Sequence, residues 1–99
     1  MLVVSRVLEL VKSDLAACGV DASKLDFRSN DEKLVIEHSG QAGLISVSIW
    51  STGCCDVYTM ETADNEPSDH HIEFSSEPEA VRYVSSVLIE WQRGGAGAA

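Results

Sequence analysis

The stretch KLVIEHSGQAGLISVSIW, residues 33–50, decides the fold, because apolar residues alternate with other residues on both sides of a turn signal. Alternation with a period of two is typical of a strand with one buried face. In 33–38 one face carries Leu34, Ile36 and His38, and the other carries Val35 and Glu37. In 44–50 one face carries Ile45, Val47 and Ile49, and the other carries Ser46, Ser48 and Trp50. The intervening SGQAG predicts a turn between two strands.

Three further strands are predicted, one before this pair and two after it. LDFR at 25–28 forms a short strand, DVYTMET at 56–62 is β-branched and aromatic, and HHIEF at 70–74 offers Ile72 and Phe74 as its buried pair. SNDE and STGCC are turn signals, and ADNEPSD is a polar loop that contains Pro67. Sequential strands with short connections predict an antiparallel meander of four to five strands.

An amphipathic helix is predicted at each end of the sheet. The first covers 2–18, and Gly19 follows it as a C′ residue that adopts positive φ without penalty. Its predicted apolar stripe is Val4, Val7, Leu8, Val11, Leu15 and Cys18. The second follows Ser76, which forms a capping box with Glu79, while Pro78 fits the first turn. Its predicted stripe is Val81, Val84, Leu88 and Trp91.

These elements predict an α+β fold in which the N-terminal and C-terminal helices pack on one face of the sheet. The other face is left open to solvent or to a partner. We expect a single domain over 1–93, followed by a flexible tail, GGAGAA, at 94–99.

Composition narrows the possible functions. The 99 residues carry a formal net charge of −9, which argues against direct binding of nucleic acid and against docking on an anionic membrane. No apolar run approaches the roughly 20 residues that a membrane span needs. Cys18, Cys54 and Cys55 are expected to be reduced thiols, so we predict a cytoplasmic protein.

The negative charge is concentrated in one part of the chain. No lysine or arginine occurs between Leu34 and Val81, whereas the rest of the chain carries seven acids and seven bases. The acids of this span are Glu37, Asp56, Glu61, Asp64, Glu66, Asp69, Glu73, Glu77 and Glu79. Solubility alone explains negative charge but not its segregation, because interspersed lysines would relieve the repulsion. A surface that carries negative charge without interspersed positive charge favours a basic protein partner.

The predicted partner-binding residues come from this span and from one aromatic residue beside it. They are Trp50, Asp56, Tyr58, Glu61, Asp64, Glu66, Asp69 and Glu73. Trp50 lies opposite the aliphatic residues of its strand, so it is a candidate interface anchor within an acidic field. The competing interpretation is that Trp50 covers an edge of the sheet.

Metal binding and catalysis find little support in the sequence. The pairs Cys54–Cys55 and His70–His71 are adjacent, and neighbours on a strand point to opposite faces, whereas zinc ligands are usually two to four residues apart. A Cys–His nucleophile is disfavoured because acidic surroundings raise the pKa of a thiol. We therefore predict no metal, no cofactor and no enzymatic activity.

The strand ending SIWSTG, the acid-rich turn and strand after it, and the closing helix SSEPEAVRYVSSVLIEW resemble small acidic immunity proteins of bacterial toxin–immunity systems. This resemblance implies a stoichiometric inhibitor that caps the active site of a toxin. Many such toxins are nucleases, whose active sites are basic because they hold phosphates.

Two other interpretations fit an acidic α+β domain. One is a phage-encoded inhibitor of the anti-CRISPR type, which would present its carboxylates as a nucleic-acid mimic. The other is an acidic secretion chaperone, which would dimerise and would need exposed apolar grooves. We expect a monomer or a weak dimer.

Overall fold

The computed structural model describes residues 2–40, 43–61 and 67–93. Within these ranges a helix, five strands and a second helix follow one another, with one turn of 3₁₀ helix at Ala22–Lys24. The helices are α1, Val4–Ala17, and α2, Glu77–Arg93. The strands are β1, Asp26–Ser29; β2, Lys33–Gly40; β3, Gly43–Trp50; β4, Cys54–Glu61; and β5, Pro67–Glu73. They form one antiparallel sheet in the order β1-β2-β3-β4-β5, which confirms the predicted α+β meander.

Both helices pack on the same face of the sheet. The register places Ile36 beside Val47 and Val47 beside Val57, so one row of apolar side chains crosses the three central strands. The sheet side of the core consists of Leu34, Ile36, Ile45, Val47, Ile49, Cys55 and Val57, all of them buried. The helix side consists of Val4, Val7, Val11 and Leu15 from α1 and Ala80, Val81, Val84, Leu88 and Trp91 from α2.

One polar contact completes this core. The indole N–H of Trp91 donates a hydrogen bond of 3.1 Å to Nδ1 of His38, which lies on the helix-facing side of β2. Trp91 can therefore be buried along its whole ring without leaving its N–H unpaired. The contact also explains why a histidine occupies a position that alternation assigns to the core.

The two helices are joined at their N-termini by Glu77. The N-cap residue of α1 is Val3, whose side chain makes no capping hydrogen bond. The Glu77 carboxylate instead accepts a hydrogen bond of 3.0 Å from the backbone N–H of Val3 and pairs with Arg6 at 3.2 Å. A residue of α2 thus supplies the negative group that the N-terminal end of α1 lacks.

The predicted cap of α2 forms only in part. The backbone N–H of Glu79 donates to Oγ of Ser76 at 3.4 Å, as expected of an N-cap serine. The Glu79 carboxylate, however, accepts from the hydroxyl of Ser75 at 3.3 Å. The neighbouring hydroxyl thus occupies the carboxylate that a reciprocal capping box would use.

Three local predictions were wrong. Cys18 is exposed, because α1 ends at Ala17 and Cys18 is its C-cap residue. The turn after β3 ends at Gly53, and Cys54 and Cys55 begin β4. β5 begins at Pro67, where the sequence suggested a loop. Proline is tolerated there because it is the first residue of an edge strand. The predicted tail, 94–99, lies outside the described residues.

Gly53 closes the turn between β3 and β4 against the end of β5. Its N–H donates to the carbonyl of Trp50 at 2.9 Å, and its carbonyl accepts from the N–H of Phe74 at 2.8 Å. Its φ is +101°, and a Cβ built on it would lie 2.6 Å from the carbonyl oxygen of Phe74. Only glycine combines this φ with so close an approach of another backbone.

Replacing leucine by alanine at two sites of α1, one buried and one exposed, measures how much burial in the core contributes to the free energy of unfolding. Leu15 is fully buried, whereas Leu10 on the same helix is 42% exposed. We expect Leu15→Ala to lower the free energy of unfolding by about 2–5 kcal/mol and Leu10→Ala by less than about 1 kcal/mol. Urea denaturation followed by circular dichroism measures both. Equal losses would contradict the packing of α1 on the sheet.

Comparing alanine substitutions at two glycines with positive φ separates the stability cost of backbone strain from the cost of steric contact. Gly19 has φ +77° and open space around its Cβ position, so Gly19→Ala should cost about 1–2 kcal/mol from backbone strain. Gly53→Ala adds the collision with Phe74, and we expect it to cost about 1–3 kcal/mol more. Thermal unfolding of the two variants tests this. A Gly53 variant no less stable than the Gly19 variant would show that the turn does not hold β5 in this way.

Candidate protein-binding surface

The face of the sheet that carries no helix is the candidate binding surface, and we call it the open face. Along β3 every second residue is buried, and the residues between them are half-buried, which separates the two faces clearly. The open face consists of Asp26, Arg28, Lys33, Val35, Glu37, Ser39, Leu44, Ser46, Ser48, Trp50, Cys54, Asp56, Tyr58, Met60, Pro67, Asp69, His71 and Glu73. Its side chains are held on paired strands and not on loops.

Five of the eight predicted partner-binding residues lie on this face. They are Trp50, Asp56, Tyr58, Asp69 and Glu73. Glu61 is the last residue of β4. Asp64 and Glu66 lie outside the described residues, so the structure does not place them. The prediction that these residues contact a partner stays a prediction, but five of them share one surface.

The cations of the open face lie on β1 and β2. Arg28 pairs with Glu37 and lies 3.6 Å from a carboxylate oxygen of Asp26. The Lys33 ammonium lies over the ring of Trp50, 4.8 Å from the ring centroid. Charges are therefore balanced on this side of the face. Trp50 belongs to this balanced side, which differs from the predicted acidic field around it.

The acids of the open face that lack a lysine or arginine partner are on β4 and β5. We call Asp56, Asp69, His71 and Glu73 the acidic half of the open face. Asp56 and His71 are directly opposite each other, and so are Tyr58 and Asp69. Oδ1 of Asp56 lies 2.6 Å from Nδ1 of His71. Tyr58 is thus the aromatic residue beside the acidic half.

The surroundings of His71 within the acidic half raise the pKa of its imidazole. The hydrogen bond to Asp56 is the largest cause and raises the pKa of His71 above the ordinary value; desolvation, the next largest, opposes it, and the charges of Asp56, Glu73 and Asp69 raise the pKa further. Protonation of His71 cancels one of the three negative charges around it. The charge of the acidic half therefore becomes less negative as the pH falls.

Two acids of the charged span are neutralised by contacts that the sequence did not reveal. Glu37 pairs with Arg28 of the neighbouring strand, and Glu77 pairs with Arg6 of α1. Both cations come from outside the lysine- and arginine-free span, so only the tertiary structure brings them together. Among the described residues of this span the unneutralised charge is therefore smaller than the sequence suggested, and much of it lies on β4 and β5.

The two adjacent cysteines lie on opposite faces, as their neighbouring positions on a strand predict. Cys54 is half-buried on the open face, and Cys55 is buried in the core. Burial, together with the charge of Asp56, raises the pKa of Cys55 to about 12. Its thiol is therefore protonated at neutral pH and is a poor nucleophile or metal ligand. In the described parts of the chain no three His, Cys, Asp or Glu side chains are grouped so that they could hold a metal ion.

Comparisons with protein families, with curated proteins and with solved structures find no match. Over 2–40, 43–61 and 67–93, no helix has the length and apolar character needed to cross a membrane. The candidate surface therefore rests on the geometry of the open face.

The contact between His71 and Asp56 predicts a specific titration. NMR should give His71 a pKa above the ordinary value of about 6.5, and Asp56→Asn should lower that pKa more than Glu73→Gln does, because the hydrogen bond is the largest cause. Two variants with equal effects would contradict the hydrogen bond.

The same contact sets the sign of a pH effect on stability. A raised pKa in the folded state stabilises the fold below the ordinary pKa, and this is lost as the pH rises through the raised value. Asp56→Asn should therefore destabilise the protein more at about pH 5 than at about pH 9. Thermal unfolding at the two pH values measures the difference.

Proposed function

We propose that this protein is a small acidic inhibitor that binds a basic protein through the acidic half of its open face. The observation that carries the proposal is the separation of charge across that face. Its lysine and arginine are engaged on β1 and β2, by Trp50, Asp26 and Glu37. Among the described residues, the open-face carboxylates on β4 and β5 are exposed or half-buried, and His71 is the one counter-charge in contact with them, through Asp56.

The position of the carboxylates suits binding without rearrangement. Asp56 and Tyr58 lie on β4, whose intervening residues Cys55 and Val57 are buried in the core. A partner that docks here meets side chains whose backbone is already ordered, so less conformational entropy is lost on binding. Opposite potentials also speed the encounter and orient the two proteins.

This surface supports the toxin-immunity interpretation, in which a cytoplasmic monomer or weak dimer blocks a basic active site without catalysing a reaction. A phage inhibitor that mimics nucleic acid would use the same carboxylates. The secretion-chaperone interpretation has less support, because Val3 and Leu10 are the large apolar side chains counted as exposed among the described residues, and both lie in or beside α1.

The test compares two variants with the same change in charge. Asp69→Asn with Glu73→Gln removes two charges from the acidic half, and Glu9→Gln with Glu90→Gln removes two exposed charges from the helices. The partner is first captured by the wild-type protein from a lysate of the organism that encodes it. Its association rate with each variant is then measured at several salt concentrations.

We expect the first variant to associate roughly tenfold more slowly at low salt and to show a flatter salt dependence. The second variant should behave like the wild type. Circular dichroism confirms that both are folded. If the two variants slow association equally, net charge and not the acidic half drives binding, and the proposed surface is wrong.

A further inference from the structure

We propose that the outer edge of β5 binds an extended segment of the partner, in antiparallel orientation, whose residues alternate between basic and apolar. This inference rests on the proposed function and names the kind of segment that the acidic half recognises. Three features of β5 support it, namely its unpaired backbone groups, its carboxylates and the groove beside it.

The backbone of β5 presents one row of hydrogen-bonding groups away from the sheet. Among the described residues β5 pairs with β4 alone. The N–H of Phe74 bonds to the carbonyl of Gly53, and hydrogen-bonded pairs alternate with non-bonded pairs in an antiparallel ladder. The N–H and C=O groups of Asp69, His71 and Glu73 therefore point outward, as does the nitrogen of Pro67.

This pattern explains the proline at the start of β5. Pro67 lies opposite Met60 in a pair that exchanges no hydrogen bond by the same alternation, so the ladder to β4 loses nothing. An open edge of this kind is a template for one more strand, which is how many domains bind extended peptides.

The two sides of such an added strand would meet different surfaces. On the open face its side chains would lie beside Asp69, His71 and Glu73, and cations would be favoured there because two of the three groups are carboxylates. Asp56 lies on the next strand of the same face. Alternate residues of the partner segment facing this side are therefore lysine or arginine.

On the helix side the added strand would meet a groove between β5 and α2. The groove has a volume of about 600 Å³ and is lined by Ile72, Phe74, Ser76, Pro78, Glu79, Arg82, Tyr83 and Ser86. Phe74 and Tyr83 are in ring contact, with centroids 5.5 Å apart. Glu79 and Arg82 carry opposite charges, so the groove has no net charge and favours the apolar residues of the segment.

A second copy of this chain fits the edge less well. Antiparallel pairing of β5 with itself avoids acids opposite acids in two registers, which place either Asp69 or Glu73 opposite His71. The first register leaves Glu73 opposite Pro67 and the second leaves Asp69 opposite Ser75, so one carboxylate of each copy gains no cation. Each copy also carries a formal net charge of −9, which opposes association. The basic and apolar segment satisfies both sides of the strand.

Four synthetic peptides test the inference with the full protein. The first is acetyl-KVKVKVKVK-amide, and the second, acetyl-KKKVVVVKK-amide, has the same composition without alternation. In an antiparallel pair the lysine N–H groups would bond to β5, and the valine N–H groups would point away. The third peptide is therefore N-methylated at its central lysines, and the fourth at its central valines.

We expect the first and fourth peptides to bind, and the second and third to bind about tenfold more weakly. Hydrogen exchange followed by NMR should show new protection of the amides of Asp69, His71 and Glu73 with the first peptide. Equal binding of all four peptides, or a loss caused by valine methylation alone, overturns the inference.

Two further outcomes separate this inference from the proposed function. If binding depends on Asp69 and Glu73 but their outward amides gain no protection, the charged surface stands and docking at the edge fails. If the Asp69→Asn and Glu73→Gln variant binds the first peptide as well as the wild type does, both fail. Amide protection that rises with protein concentration in the absence of peptide would identify a second copy as the occupant and overturn the inference.

Discussion

The structure depends on one constraint, that side chains of paired strands alternate in step across the whole sheet. Val47 of β3 is opposite Ile36 on one side and Val57 on the other, so the three strands direct apolar residues to the helices together. A slip of one residue would expose this row and bury its neighbours. The charged face follows from the same alternation, because every position that does not face the helices is free to be polar.

The elements with a strong local period could be predicted from the sequence. The hairpin of β2 and β3 and both helices show their apolar spacing within single segments, and most of their buried residues were predicted, although Cys18 is exposed and Ala80 and Ser85 are buried without having been predicted. β5 was harder, since only Ile72 and Phe74 mark its apolar side, and Pro67 suggests a loop. Its length depends on pairing with β4, which no local pattern encodes.

The sequence predicts where the candidate site lies, but it does not predict which of the charges there are neutralised by a neighbouring cation. Alternation predicts that Trp50 and Ser48 share a face, and charge counting predicts an acidic region around Asp69 and Glu73. Neither pattern predicts that the Lys33 ammonium lies over the ring of Trp50 or that Arg28 neutralises Glu37, because these contacts join residues of different strands. The pairing of His71 with Asp56 likewise requires the register of β4 and β5. Long-range register thus decides which of the carboxylates stay unneutralised.

The two edges of the sheet differ in length, and this limits what the molecule can build. β1 has four residues and covers β2 only from Leu34 to Glu37, whereas β5 has seven residues along β4. Growth of a fibre by strand addition needs two usable edges, so that each molecule both receives a strand and offers one. The short edge at β1 offers few backbone groups to a neighbouring molecule, which disfavours growth of such a fibre from this chain alone.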